Sequence, residues 1–127
     1  MKPITLTAEM VRAVLAGEKT QTRRPVEPQP PEGVGKIIGP ELYRPTRINR
    51  AGEQYPGAEV FGVYDEDGEW GAKCPWRVGG RVWARTPLRT VTRLTLEVVS
   101  VRIERLRVDD GETGPWLWVG ELTRARA

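Results

Sequence analysis

The chain contains no histidine and a single cysteine, Cys74. Without histidine there is no Ser-His or Cys-His nucleophile pair, and the commonest zinc ligand is missing, so no metal site or cofactor is expected. Any general base has to be a carboxylate, a lysine or a tyrosine. One cysteine excludes an intrachain disulfide, and a cytoplasmic setting is the matching expectation. No stretch of about 18 apolar residues occurs, so no membrane-spanning helix is expected. The first residues also lack the charged-then-apolar pattern of a signal peptide. Lysine is scarce as well: only four of the 20 basic residues are lysine, the rest being arginine.

What is present suits one folded domain. The 127 residues are 39% hydrophobic and 29% charged, with a net charge of +3. That composition supports a single modest core over residues 1–127. The planar guanidinium pairs bidentately with phosphate and stacks on bases, so the arginine bias suits a nucleic-acid partner. A codon bias toward GC would produce the same excess, and composition alone does not choose between them.

Residues 15–24, Leu-Ala-Gly-Glu-Lys-Thr-Gln-Thr-Arg-Arg, concentrate the chemistry. Thr7 reads as a helix N-cap, Glu9 lies near the positive end of the helix, and Met10, Val11, Val14 and Leu15 recur at helical spacing. Gly17 fits the left-handed position that ends such a helix. Beyond it the period changes to two. An extended segment would turn Lys19, Gln21 and Arg23 to one side and Thr20, Thr22 and Arg24 to the other.

Residues 2–6 alternate weakly, as a short strand would. Residues 25–54 carry six prolines and four glycines without apolar periodicity, and read as a long loop. Arg44, Arg47 and Arg50 make it basic. Ala58–Tyr64 reads as a strand, Asp65-Glu66-Asp67-Gly68 as a polar hairpin turn rather than a calcium loop, and Glu69–Ala72 as the return. Gly79-Gly80 opens a strand in which Arg81, Trp83 and Arg85 alternate against Val82 and Ala84. Trp83 between two arginines is either a base-stacking platform or a tryptophan sealing the end of a small barrel. Cys74 reads as an inert thiol. Thr92–Leu106 is the longest strand pattern, with a phase change at Val98-Val99 that suggests a bulge. Residues 108–114 read as an acidic turn and Trp116–Thr123 as the last strand.

The helix with its Lys-Thr-Gln-Thr-Arg sequel, the later Gly-Gly-Arg-Val-Trp-Ala-Arg and the closing Pro-Trp-Leu-Trp-Val-Gly-Glu-Leu resemble the ASCH domain, in particular phage-encoded ASCH-like proteins. The resemblance spans nearly the whole chain. It implies an α+β fold: a small PUA-like β-barrel of about five to six strands with one N-terminal helix and, here, the long Pro/Gly-rich loop. It also implies RNA or nucleoside handling in a cleft beside the helix-to-strand turn. Lys19, Thr20, Thr22, Arg24, Trp83 and Arg85 are the candidate binding residues.

Some family members remove an acetyl group from N4-acetylcytidine, and position by position the implied catalytic pair would be Lys19 and Thr22. A desolvated lysine can activate a threonine hydroxyl if a carboxylate orients it. The family's glutamate comes from a helix for which residues 107–114 leave no room. Only Asp109, Asp110 and Glu112 are nearby, Thr86 stands where phage relatives carry glutamate, and Gly80 where aspartate is usual. The expectation is a binding module for RNA or a nucleotide, with single-stranded DNA as a further candidate ligand. The alternatives are an amidohydrolase on N4-acylated cytidines, and a phage-encoded protein that binds a host protein through exposed Trp116 or Trp118.

Overall fold

The computed structural model describes residues 4–90, 92–108 and 113–125. In chain order the elements are β1 (Ile4–Thr5), α1 (Ala8–Leu15), β2 (Thr20–Pro25), β3 (Ile37–Tyr43), β4 (Thr46–Ile48), β5 (Gln54–Pro56), β6 (Val60–Asp65), β7 (Gly71–Lys73), β8 (Arg81–Arg85), β9 (Arg93–Arg107) and β10 (Thr113–Arg124). The chain is strand-rich with one helix among the described residues, and that helix is not long enough to cross a membrane. It divides into two compact units. One comprises Met1–Arg24, Trp76–Arg102 and Trp118–Ala127, the other Pro25–Pro75 and Ile103–Leu117.

In the first unit, Thr7 starts α1 as its spacing suggests: its backbone is extended and its hydroxyl accepts from Met10 N at 3.2 Å. That satisfies one of the N–H groups the first turn leaves without a partner. Val11 and Val14 supply the fully buried face. At the other end Gly17 has φ 87°, Gly17 N donates to Val14 O at 3.0 Å and Glu18 N to Ala13 O at 2.9 Å. These two bonds close the helix C-terminus through a left-handed residue.

A five-stranded sheet runs in the order β1-β8-β9-β10-β2. β1 pairs with β8 in parallel (Ile4↔Ala84), and β8 with β9 antiparallel (Val82↔Leu96, Ala84↔Leu94). Val82, Ala84, Leu94, Leu96 and Val98 are buried and form one face. Each large aliphatic so removed from water contributes roughly 1.5–3 kcal/mol. Alternation along β9 stops at Val98, after which residues 99–104 are all half-buried; the strand itself runs unbroken to Arg107.

The second unit corrects the reading of residues 25–54 as one loop. β3 and β4 lie inside that stretch and β5 begins at its end; β3, β6 and β7 form a three-stranded sheet, and β4 with β5 a two-stranded one. With these the strands outnumber the five to six expected, although the largest sheet has five. The prolines and glycines that hid the pattern occupy specific places. Gly39, at φ 109°, sits where the β3–β6 register shifts between Ile38 and Glu41, and a Cβ there would lie 2.6 Å from Gly62 O. Gln29 behaves like a short length of strand: its amide donates to Val26 O at 2.6 Å and Trp116 O at 2.9 Å, and accepts from Trp116 N at 2.8 Å.

The turn at Asp65–Gly68 is present, with Gly68 at φ 72° and its N–H donating to Asp65 O at 3.0 Å. Asp65 is nonetheless buried, its carboxylate accepting from Trp70 N at 3.0 Å, so it braces the hairpin from inside. The acids of the expected 108–114 turn, Asp109, Asp110 and Glu112, lie outside the described residues.

Gly62 sits where β6 and β7 approach most closely, and a Cβ there would overlap the Ala72 carbonyl. Gly62→Ala is therefore expected to lower stability by about 3 kcal/mol, at the upper end of overpacking costs. A fall in the urea midpoint without change in slope is the expected readout.

Candidate nucleic-acid interface

β2 carries the motif as the two-residue period requires. Thr20, Thr22 and Arg24 are half-buried while Gln21 and Arg23 are exposed, and Lys19, just before the strand, is exposed. Trp76 lies under this face with 2% exposure. The Arg24 guanidinium carbon is 5.8 Å from the centre of its ring. Gly120 makes room for the indole: a Cβ there would stand 3.0 Å from Trp76 Cε3 and 3.5 Å from Thr22 Cγ2. The Trp76 Nε1 is a buried donor with no acceptor among the described residues. Thr20, Thr22, Arg24 and Trp76 thus form one cluster, with Lys19 at its exposed end.

Trp83 and Arg85 stand elsewhere. Their strand is separated from β2 by β9 and β10 in the sheet order. They occupy the face opposite Val82 and Ala84, where the register sets Arg81 against Glu97, Trp83 against Thr95 and Arg85 against Arg93. Arg93, which sequence reading missed, covers the half-buried Trp83 ring at 4.2 Å from its centre; Arg85 is at 5.8 Å. The only signal for Arg93 is the strand register, and residues 86–92 carry no turn signature that would fix it.

Like charges directly opposite one another across an antiparallel pair are destabilising, by a few tenths of a kcal/mol to about 1 kcal/mol. Stacking each guanidinium on the indole offsets about 0.5–1 kcal/mol at an exposed position. Among the described residues neither Arg85 nor Arg93 has a carboxylate partner. The result is a half-buried indole with two planar cations over it, neither with a carboxylate partner among the described residues, next to the exposed Thr5, which pairs with Arg85 from β1.

Two cavities among the described residues lie in the second unit. One, of about 340 Å³, is lined by Tyr43, Tyr64, Arg44, Glu69 and neighbours; the other, of about 590 Å³, by residues 29–34 with Arg105, Thr113, Gly114 and Trp116. Neither includes a residue of the Lys-Thr-Gln-Thr-Arg motif. Among the described residues no cluster of three metal-ligating side chains occurs. Trp118 is 1% exposed and belongs to the core, while half-buried Trp116 lines the larger of the two cavities with Arg105 over its ring at 5.6 Å. No family model matches the chain, and no curated protein or solved structure matches it.

The Arg85 guanidinium stands farther from the ring than that of Arg93, so its cation–π attraction is the weaker of the two and offsets less of the repulsion. Arg85→Thr is expected to raise stability by about 0.5 kcal/mol at low ionic strength, and the gain should shrink as salt screens the pair. Urea unfolding at two salt concentrations checks both parts.

Proposed function

We propose that this chain is an ASCH-like, PUA-like module that binds RNA through cationic, aromatic-bearing surface rather than an enzyme. The observation that carries the reading is the Arg85–Trp83–Arg93 stack. The half-buried indole carries both guanidiniums, neither with a carboxylate partner among the described residues, and so offers a single strand two planar cationic forks for its phosphates held flat on an aromatic ring. The Lys19, Thr20, Thr22 and Arg24 cluster adds two further cations and two hydroxyl groups. An anionic polymer also removes the repulsion between Arg85 and Arg93, so binding and local stability reinforce each other.

Hydrolysis of an acylated cytidine ranks below binding. Lys19 is exposed, so water is not excluded from its ammonium as a lysine base requires, and the group over the Trp76 ring on the half-buried side of β2 is the Arg24 guanidinium, a donor and no base. Docking on a host protein ranks below it as well, since the tryptophans it called on are in the core or covered.

The test is fluorescence anisotropy with a short single-stranded RNA across a salt series. Wild type should bind with steep salt dependence. The double change Arg85→Ala/Arg93→Ala should reduce the slope of log K against log salt by about 1.4, two phosphates at about 0.7 each. RNA binding that ignores salt, or no binding at low salt, sinks the proposal. Turnover of N4-acetylcytidine that disappears in Lys19→Ala would put the hydrolase reading in its place.

A further inference from the structure

We propose that the cavity of about 340 Å³ on the β3-β6-β7 sheet is a binding site for a guanine mononucleotide, with Tyr43 and Tyr64 against the base, Arg44 at the phosphate, Glu69 on the base edge, and Arg47, next in the chain after the lining residue Thr46, as a second cation nearby. The site lies wholly in the second unit and uses none of the residues assigned to RNA binding above.

The size is that of a small-molecule pocket and not of a polymer groove. Its wall is aromatic and fixed. The Tyr43 and Tyr64 rings are 4.6 Å apart and tilted by 43°. Tyr43 OH donates to Val63 O at 3.2 Å, and Tyr64 OH donates to a Glu41 carboxylate oxygen. With both hydroxyls engaged, the rings are held as surfaces rather than as free polar groups. Gly71, opposite Tyr64 in the register, keeps the floor open, since a Cβ there would lie 2.8 Å from Tyr43 OH.

The charges at the rim are arranged for a ligand with an anionic end and a donor edge. Arg44 spends one of its five N–H donors on a long 3.4 Å bond to Gly57 O and has no carboxylate partner among the described residues. Burial pushes the Tyr43 phenol above its ordinary range while the positive charge of Arg47 acts against it. Arg44 and Arg47 are two of the three arginines that mark this segment in the sequence, and the RNA reading leaves them unused. Glu69 is exposed and likewise without a cationic partner among the described residues.

A carboxylate accepts and does not donate, so it selects a base with adjacent N–H groups. Guanine offers N1–H and the N2 amino group side by side. Uracil offers one N–H flanked by two carbonyl oxygens that a carboxylate repels. The same chemistry is presented by free GMP and by a 5′-terminal guanylate of a nucleic-acid strand.

Isothermal titration of the full chain with 5′-GMP, 5′-UMP and inorganic phosphate tests the assignment. Saturable GMP binding is expected, at least about tenfold tighter than UMP, the discrimination that one hydrogen bond to a charged group provides. Glu69→Gln should erase the preference for GMP while leaving UMP unchanged, and Arg44→Ala/Arg47→Ala should weaken both nucleotides. These side chains are exposed, so the variants should keep wild-type circular dichroism and urea midpoints. No saturable GMP binding at millimolar concentration overturns the inference, as does equal binding of GMP and UMP. Competition by a 5′-phosphorylated oligonucleotide starting with G, but not by one starting with U, makes the ligand a strand end; no competition makes it the free nucleotide. The outcome is separable from that of the RNA proposal: Arg85→Ala/Arg93→Ala leaves GMP binding intact if the pocket is real, and Arg44→Ala/Arg47→Ala leaves the salt slope for RNA intact if RNA is held at the Trp83 surface.

Discussion

Trp76 reaches 2% exposure only because Gly120 has no side chain, and the placement of the motif strand depends on that contact. Any Cβ at Gly120 would press on the indole at 3.0 Å and on the Thr22 methyl at 3.5 Å. The buried ring backs the half-buried side of β2, and the Arg24 guanidinium rests over it at 5.8 Å. A large aromatic removed from water outweighs the cost of leaving its N–H without an acceptor, about 1–3 kcal/mol. The direction in which Thr20, Thr22 and Arg24 face is therefore decided by a glycine and a tryptophan that are remote from them in the sequence.

That remoteness explains which parts of the fold could be read in advance. The ends of α1 are set by Thr7 and Gly17 acting on their immediate neighbours, so local chemistry is sufficient to place them. The alternation of β2 and the turn at Asp65–Gly68 are local in the same way. Residues 25–54 defeated the reading because there proline and glycine serve the strands they interrupt: Gly39 permits the register shift and the close approach to Gly62. Asp65 looked like a polar turn residue and is in fact a buried acceptor for Trp70 N, a role visible only once the hairpin is closed.

The candidate site divides along the same line. Lys19, Thr20, Thr22 and Arg24 share a strand, and their alternation brought them together without knowledge of pairing. Trp83 and Arg85 were recognisable as an aromatic beside a cation, but Arg93 completes the group only through the β8–β9 register. Its position opposite Arg85 changes the meaning of the surface. A single arginine beside tryptophan is ordinary covering of an apolar ring; two held opposite one another against their own repulsion make a surface whose energy falls when an anion arrives.

The same reasoning separates holding an anion from breaking a bond at β2. A threonine hydroxyl becomes a nucleophile only if a neighbour takes its proton. The cation over the Trp76 ring is a guanidinium, which donates hydrogen bonds and has no acceptor to offer. Lys19 is exposed to water. Donors dominate this cluster: the Arg24 fork, the Lys19 ammonium and the two threonine hydroxyls all can give hydrogen bonds, and only the hydroxyls can receive them. A set of donors without a base stabilises negative charge that is already present, as on a phosphate, and does not create it on a hydroxyl. Hydrolysis at this face would need water excluded from Lys19 and a carboxylate to orient it, whereas a phosphate could be met by donors that the described residues of the strand already carry.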